Sequence, residues 1–133
     1  MRVLFADDDR FQQVNMEDHF SMFPNLELSI AEDGQEAYEM FLKARDEGNP
    51  YQIVITDGDM PRMNGVELTR RLRRGLANLP VWIIMRSGGE YEYDAIEAGV
   101  NRFYSKLRTS PTVMEIVQMC DRMAEQGWGE EPR

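Results

Sequence analysis

Five times along its 133 residues the chain repeats one pattern, a short β-branched run followed by a longer amphipathic stretch. Strands buried on two faces and helices buried on one are satisfied together by a parallel sheet with helices packed on each side. Strands are predicted over 2–6, 26–30, 52–56, 81–85 and 102–105, and helices over 10–23, 34–46, 65–74, 91–98 and 111–125. Local signals agree with those limits. Asp33 can cap the second helix, Pro24 and Gly48 follow helix ends, and Ser110-Pro111 reads as a capping residue before a first-turn proline. No linker or low-complexity segment interrupts the pattern, which predicts one α/β domain over 1–126 and a loose tail, a terminus or linker stub, over 127–133.

In open parallel sheets ligands bind beyond the carboxyl ends of the strands, near the point where strand order reverses. The residues there carry chemistry. The first strand runs into Asp7, Asp8 and Asp9, the third into Thr56-Asp57-Gly58-Asp59, the fourth into Met85-Arg86-Ser87 and the fifth into Lys106. Acidic strand ends meeting one lysine suit a magnesium and phosphoryl site, because a metal neutralises carboxylates that otherwise repel one another. The rest of the composition narrows the metal. One Cys and one His exclude an intrachain disulfide and a Cys/His zinc site, which leaves carboxylates and hence a hard cation such as magnesium.

With 15 basic and 24 acidic residues the net charge is -9, which opposes broad binding to nucleic acid or anionic lipid. No apolar run has the length of a membrane helix, and the short run in MRVLFADDD ends in acids rather than a cleavage site. A cytoplasmic protein is expected. Several residues have plain readings: Asp9 as the cap of the first helix, and His19 as a packing or surface residue beside Met16 and Phe20. Cys120 falls in the stripe Val113, Ile116, Val117, Cys120, Met123 and is expected to be an inert buried thiol. Arg70, Arg71, Arg73 and Arg74 suit the negative end of the third helix and read as a solvated face, while Tyr91 and Tyr93 could form part of a partner surface.

The acidic pair in VLFADDD, the segment VITDGDMPRMNG, LPV before the fourth strand and AGVNRFYSK ending in lysine resemble the receiver domain of two-component response regulators, the family of the bacterial chemotaxis regulator. The resemblance runs from Arg2 to about Glu125. It implies a flavodoxin-like (βα)5 sandwich with strand order 2-1-3-4-5. It makes Asp57 the phosphate acceptor and, with Asp7, Asp8 and the backbone carbonyl of Asp59, a magnesium ligand. Lys106 would contact the phosphoryl group, and Phe103 would be the aromatic that changes rotamer on activation. The implied partners are a histidine kinase or phosphotransfer protein, and an output domain or partner protein at the fourth helix, fifth strand and fifth helix, with a homodimer possible. Catalysis beyond its own phosphotransfer and dephosphorylation is not expected. Two rivals stand beside this reading. One is a pseudo-receiver that binds partners without phosphorylation. The other is a small phosphatase, since DGD is similar to the aspartate pair of haloacid dehalogenase-type phosphatases, where the pair ends the first strand.

Two positions depart from the family. Counted from Pro80, the usual Thr or Ser falls on Met85 and the following small residue on Arg86, with Ser87 two places late. A straight strand would then leave the phosphate without a hydroxyl donor, unless a bulge brought Ser87 forward or Arg86 acted as a cationic donor or filled the pocket from the rim. Leu107 replaces the proline that follows the lysine through a cis peptide. A cis bond before a non-proline residue costs about 2.5 to 4 kcal/mol, so a trans bond and a displaced Lys106 are expected. Both departures predict a shallow switch.

Overall fold

The computed structural model describes residues 1–75 and 80–126; the expected tail at 127–133 lies outside the described residues. The elements are β1 (Arg2–Ala6), α1 (Arg10–Phe20), β2 (Glu27–Ala31), α2 (Gly34–Asp46), β3 (Ile53–Asp57), α3 (Gly65–Gly75), β4 (Trp82–Ser87), α4 (Glu92–Ala98), β5 (Arg102–Ser105) and α5 (Val113–Gln126). All four strand pairings are parallel and the order is β2-β1-β3-β4-β5, as the flavodoxin-like expectation requires. The order reverses at β1, so the ends of β1 and β3 open side by side at one edge.

Strand alternation sorts the core into two layers. Leu4, Ala6, Val54 and Ile83 face Ala37 and Phe41 of α2 and Leu68 and Leu72 of α3. Val3, Phe5, Ile53, Ile55 and Ile84 face Met16 and Phe20 of α1 and Ile116, Val117 and Cys120 of α5. Each fully buried large side chain contributes about 1.5 to 3 kcal/mol, and both layers hold many of them. Cys120 is fully buried, and burial pushes its thiol up to about 12. Alkylation of the native protein at pH 8 is therefore expected to be slower by orders of magnitude than of the urea-unfolded chain, as followed by intact mass. Equal rates would place the thiol at the surface.

Three boundaries differ from the sequence expectation by two or more residues, for physical reasons. α1 ends at Phe20 rather than 23, with the Ser21 N–H closing on the carbonyl of Glu17. α5 begins at Val113 rather than Pro111, because Thr112 Oγ1 accepts from the Glu115 N–H at 3.1 Å and so caps the helix in place of Ser110. β4 runs from Trp82 to Ser87 rather than from 81 to 85, since its ladder with β3 continues until Arg86 lies opposite Asp57.

Arg73 is also corrected, from a solvated cation to a half-buried clamp. Its Nε donates to Gly99 O (2.9 Å), Nη1 to Val81 O (2.8 Å) and Nη2 to Asn101 Oδ1 (2.7 Å), and the same Asn101 oxygen accepts from the Ile83 N–H at 2.8 Å. One side chain on α3 thus fixes where β4 starts and where α4 ends. Among the described residues no helix is long and apolar enough to cross a membrane.

Candidate functional site

The three acids after β1 divide into three environments. The Asp7 N–H continues the sheet by donating to Ala31 O (3.1 Å), so the residue is 1% exposed and held among protein groups. Its Oδ1 accepts from the Asp9 N–H (2.9 Å), and Gln13 Nε2 on α1 donates to its carbonyl (2.8 Å). Asp8 is exposed, and Asp9 caps α1 by accepting from the Phe11 N–H at 2.9 Å.

Asp57 is the last residue of β3 and is buried. Burial raises its pKa above the ordinary carboxylate value, the Asp7 charge adds to the rise, and Lys106 and the Asp59 N–H oppose it. Lys106 Nζ donates to Asp57 Oδ1 at 3.2 Å and to Asp7 Oδ2 at 3.3 Å. One oxygen from each of Asp7, Asp8 and Asp57 lies within 4.8 Å of the others. Three carboxylates against one ammonium leave surplus negative charge, and their oxygen donors suit a hard cation, with exposed Asp8 leaving room for its waters. The Asp59 side chain is exposed and outside this cluster.

The loop after Asp57 is shaped by close approach. A Cβ on Gly65 would lie 2.2 Å from the Asp57 carbonyl oxygen, so only glycine lets α3 start directly against the end of β3. Arg62, at φ 65°, pairs with Asp33 through Nε at 2.8 Å, anchoring the same loop to the start of α2.

The family model of the response regulator receiver domain matches residues 3–118. The chain belongs to this family. A chemotaxis protein CheY homolog of Campylobacter jejuni is 29% identical over 118 residues, covering 86% of this chain and 88% of the relative. CheY1 of Helicobacter pylori is also 29% identical, over 122 residues, covering 90% of this chain and 95% of its own. Among solved structures, the response regulator domain of Thermotoga maritima CheB superposes with a TM-score of 0.70 at 25% identity, covering 99% of this chain and 98% of that one. This chain is thus a receiver domain of CheY-like response regulators, a family of two-component signalling.

In this receiver the two departures turn out differently from their sequence expectation. Lys106 follows the expected trans geometry, since the cis peptide among the described residues is Ser110-Pro111, yet it is not displaced. Its own N–H donates to Ser87 O at 2.9 Å, so the sheet ladder aims the residue from the β5 side. Nor is a bulge needed at β4. The pairing is regular, with Met85 opposite Phe103, Arg86 opposite Asp57 and Tyr104, and Ser87 opposite Ser105. Met85 lies fully buried below the rim with Val66, Ala95 and Ala98, and partly buried Phe103 packs on that group. Ser87 and Gly88 end the straight strand: the Ser87 hydroxyl lies over Gly58, where a Cβ would meet it at 2.6 Å, and accepts from the Gly89 N–H at 3.1 Å.

Arg86 is half-buried on the Asp57 face of the sheet. Sequence reasoning passed over Gln13, which donates to the Asp7 carbonyl, and misread Arg73, whose acceptors are two backbone carbonyls and the Asn101 side chain. Tyr93 on α4 is 78% exposed and Leu107, directly after Lys106, is 83% exposed, while Tyr91 folds back over Gly89.

Proposed function

We propose that this receiver accepts a phosphoryl group on Asp57 from a histidine kinase or phosphotransfer protein, and that the charged product alters partner binding at α4, β5 and α5. The observation that carries the reading is Lys106 Nζ held between Asp57 and Asp7 at 3.2 and 3.3 Å, where three carboxylates also converge. An Asp57 oxygen attacks phosphorus in line with the donor's P–N bond; that bond breaks, and the departing imidazole nitrogen keeps the electron pair and takes up a proton. Lys106 offsets charge on the phosphoryl oxygens throughout. Asp7, Asp8, Asp57 and the Asp59 carbonyl would hold Mg2+, which when bound supplies further charge neutralisation on those oxygens. Ser87 takes the hydroxyl role that the count from Pro80 gives to Met85. Its oxygen already accepts from Gly89, which leaves its proton to donate to the acyl phosphate.

The acyl phosphate adds roughly 1.5 to 2 negative charges and three acceptor oxygens, enough to bias an existing equilibrium of the neighbouring loops. The domain turns over no external substrate beyond its own phosphorylation and dephosphorylation. Intact mass after exposure to phosphoramidate and magnesium tests the reading. Gain of one phosphoryl group supports it, no gain supports a phosphorylation-independent binding module, and sustained donor turnover with a broad substrate range supports a phosphatase.

The metal part has a separate readout. Magnesium at tenfold over its Kd is expected to stabilise the wild type by about 1.4 kcal/mol, or about 3 to 5 °C in Tm. Asp8→Asn should lose most of that shift while keeping the fold, since Asp8 is exposed. Equal shifts in both proteins would move the metal away from the β1 end.

A further inference from the structure

Among the described residues two arginines carry a buried guanidinium nitrogen without a hydrogen-bond partner, Arg2 and Arg86, but Arg2 still donates through Nη1 to Asn49 O and faces Glu27 at 3.9 Å. Arg73 spends its guanidinium on three acceptors and Lys106 on two carboxylates, whereas Arg86 Nη1 is buried without a hydrogen-bond partner among the described residues. Its place is set by the ladder. Arg86 lies directly opposite Asp57 on the neighbouring strand, so both side chains leave the same face of the sheet. Two residues earlier, Ile84 and Ile55 lie together in the layer beneath α1 and α5, and Asp57 and Arg86 stand above them at the open edge. The attraction of Asp7 and Asp57 reaches the guanidinium and opposes the effect of burial on it, but no ion pair forms within 4.0 Å. A desolvated cation beside two carboxylates, with a bond to neither, has an acceptor missing.

We infer that Arg86 is a second cationic ligand of the phosphoryl group on Asp57, binding its oxygens from the β4 side while Lys106 binds from the β5 side. The inference rests on Asp57 being the acceptor. An acyl phosphate places three oxygens beyond the Asp57 carboxylate, and a guanidinium with five donors in a planar fork is shaped to take two of them. Met85, one residue earlier, points to the opposite face and is sealed among Val66, Ala95 and Ala98, so this donor comes in addition to Ser87 rather than in exchange for it. The same positive charge disfavours a divalent cation in the absence of phosphate, so its removal has opposite effects on the two ligands.

That sign reversal is the test. Affinity for trifluoroberyllate, a tetrahedral phosphoryl mimic, would be measured with saturating magnesium in wild type, Arg86→Gln and Arg86→Lys, and magnesium affinity would be measured alone in each. Arg86→Gln is expected to bind the mimic at least tenfold more weakly and magnesium more tightly, with Arg86→Lys between it and wild type for the mimic. A loosened fold would weaken both ligands together, and that parallel loss would overturn the inference. So would unchanged mimic affinity in Arg86→Gln while wild type is phosphorylated normally, which leaves the acceptor role of Asp57 standing. A wild type that binds magnesium but takes neither the mimic nor a phosphoryl group overturns both.

Discussion

Asp57→Asn is expected to take up no phosphoryl group from a small donor and, at the same time, to be more stable than wild type at neutral pH. The first half follows from the loss of the attacking carboxylate at the one acid that ends a central strand within the cluster. The second half follows from linkage. Burial, with Asp7 adding, holds the Asp57 pKa above its ordinary value of 3.8, so between the unfolded and folded values the native state binds more protons than the unfolded one. Stability contributed by this group is therefore lost as pH rises through that window, and above it the buried charge is a standing penalty. Asparagine carries no such charge, and Lys106 keeps Asp7 as a partner at 3.3 Å. Urea unfolding at a series of pH values should show a stability gap at pH 7 that closes as pH falls below about 4. A gap that widens in acid would contradict the assigned direction, and borohydride trapping of label on Asp7, Asp8 or Asp59 in the wild type would contradict the assigned acceptor.

The second large effect is expected far from the chemistry. Arg73→Ala removes three hydrogen bonds at once and leaves the carbonyls of Gly99 and Val81 without that donor, for a cost of about 2 to 4 kcal/mol. Arg73→Lys should recover less than half of it. A single ammonium cannot span acceptors on the β4 entry, the α4 end and the Asn101 side chain together. Chemical denaturation of the three proteins measures this, and a loss under about 0.5 kcal/mol would mean that water replaces the guanidinium without penalty.

How far the chain could be read from sequence depends on whether a signal is local. The strand and helix alternation, the acids at the ends of β1 and β3 and the capping roles of Asp9 and Asp33 are local, and each has its counterpart in the structure. The end of β4 was not local. Arg86 interrupts an apolar run that begins at Val81, and periodicity closes the strand at Met85, but pairing with Asp57 carries it to Arg86 and pairing with Ser105 to Ser87. At α5 the expectation rested on Ser110-Pro111, but the capping bond is made two residues later by Thr112 to the Glu115 N–H. Arg73 is indistinguishable in sequence from Arg70, Arg71 and Arg74; only the return of the chain between α4 and β5 supplies its acceptors. The displaced lysine was expected from the residue after it, whereas its direction is set by the strand before it.

The bond from the Lys106 N–H to Ser87 O has a practical consequence. The sequence contains two lysines, Lys43 within α2 and Lys106 at the site. Selective 15N-lysine labelling therefore reduces the amide spectrum of the whole protein to two peaks. One comes from the last turn of α2 and serves as an internal standard. The other comes from the proton that joins the ends of β4 and β5, so a titration with kinase, metal or candidate partner can be followed as the movement of a single resonance against a fixed one.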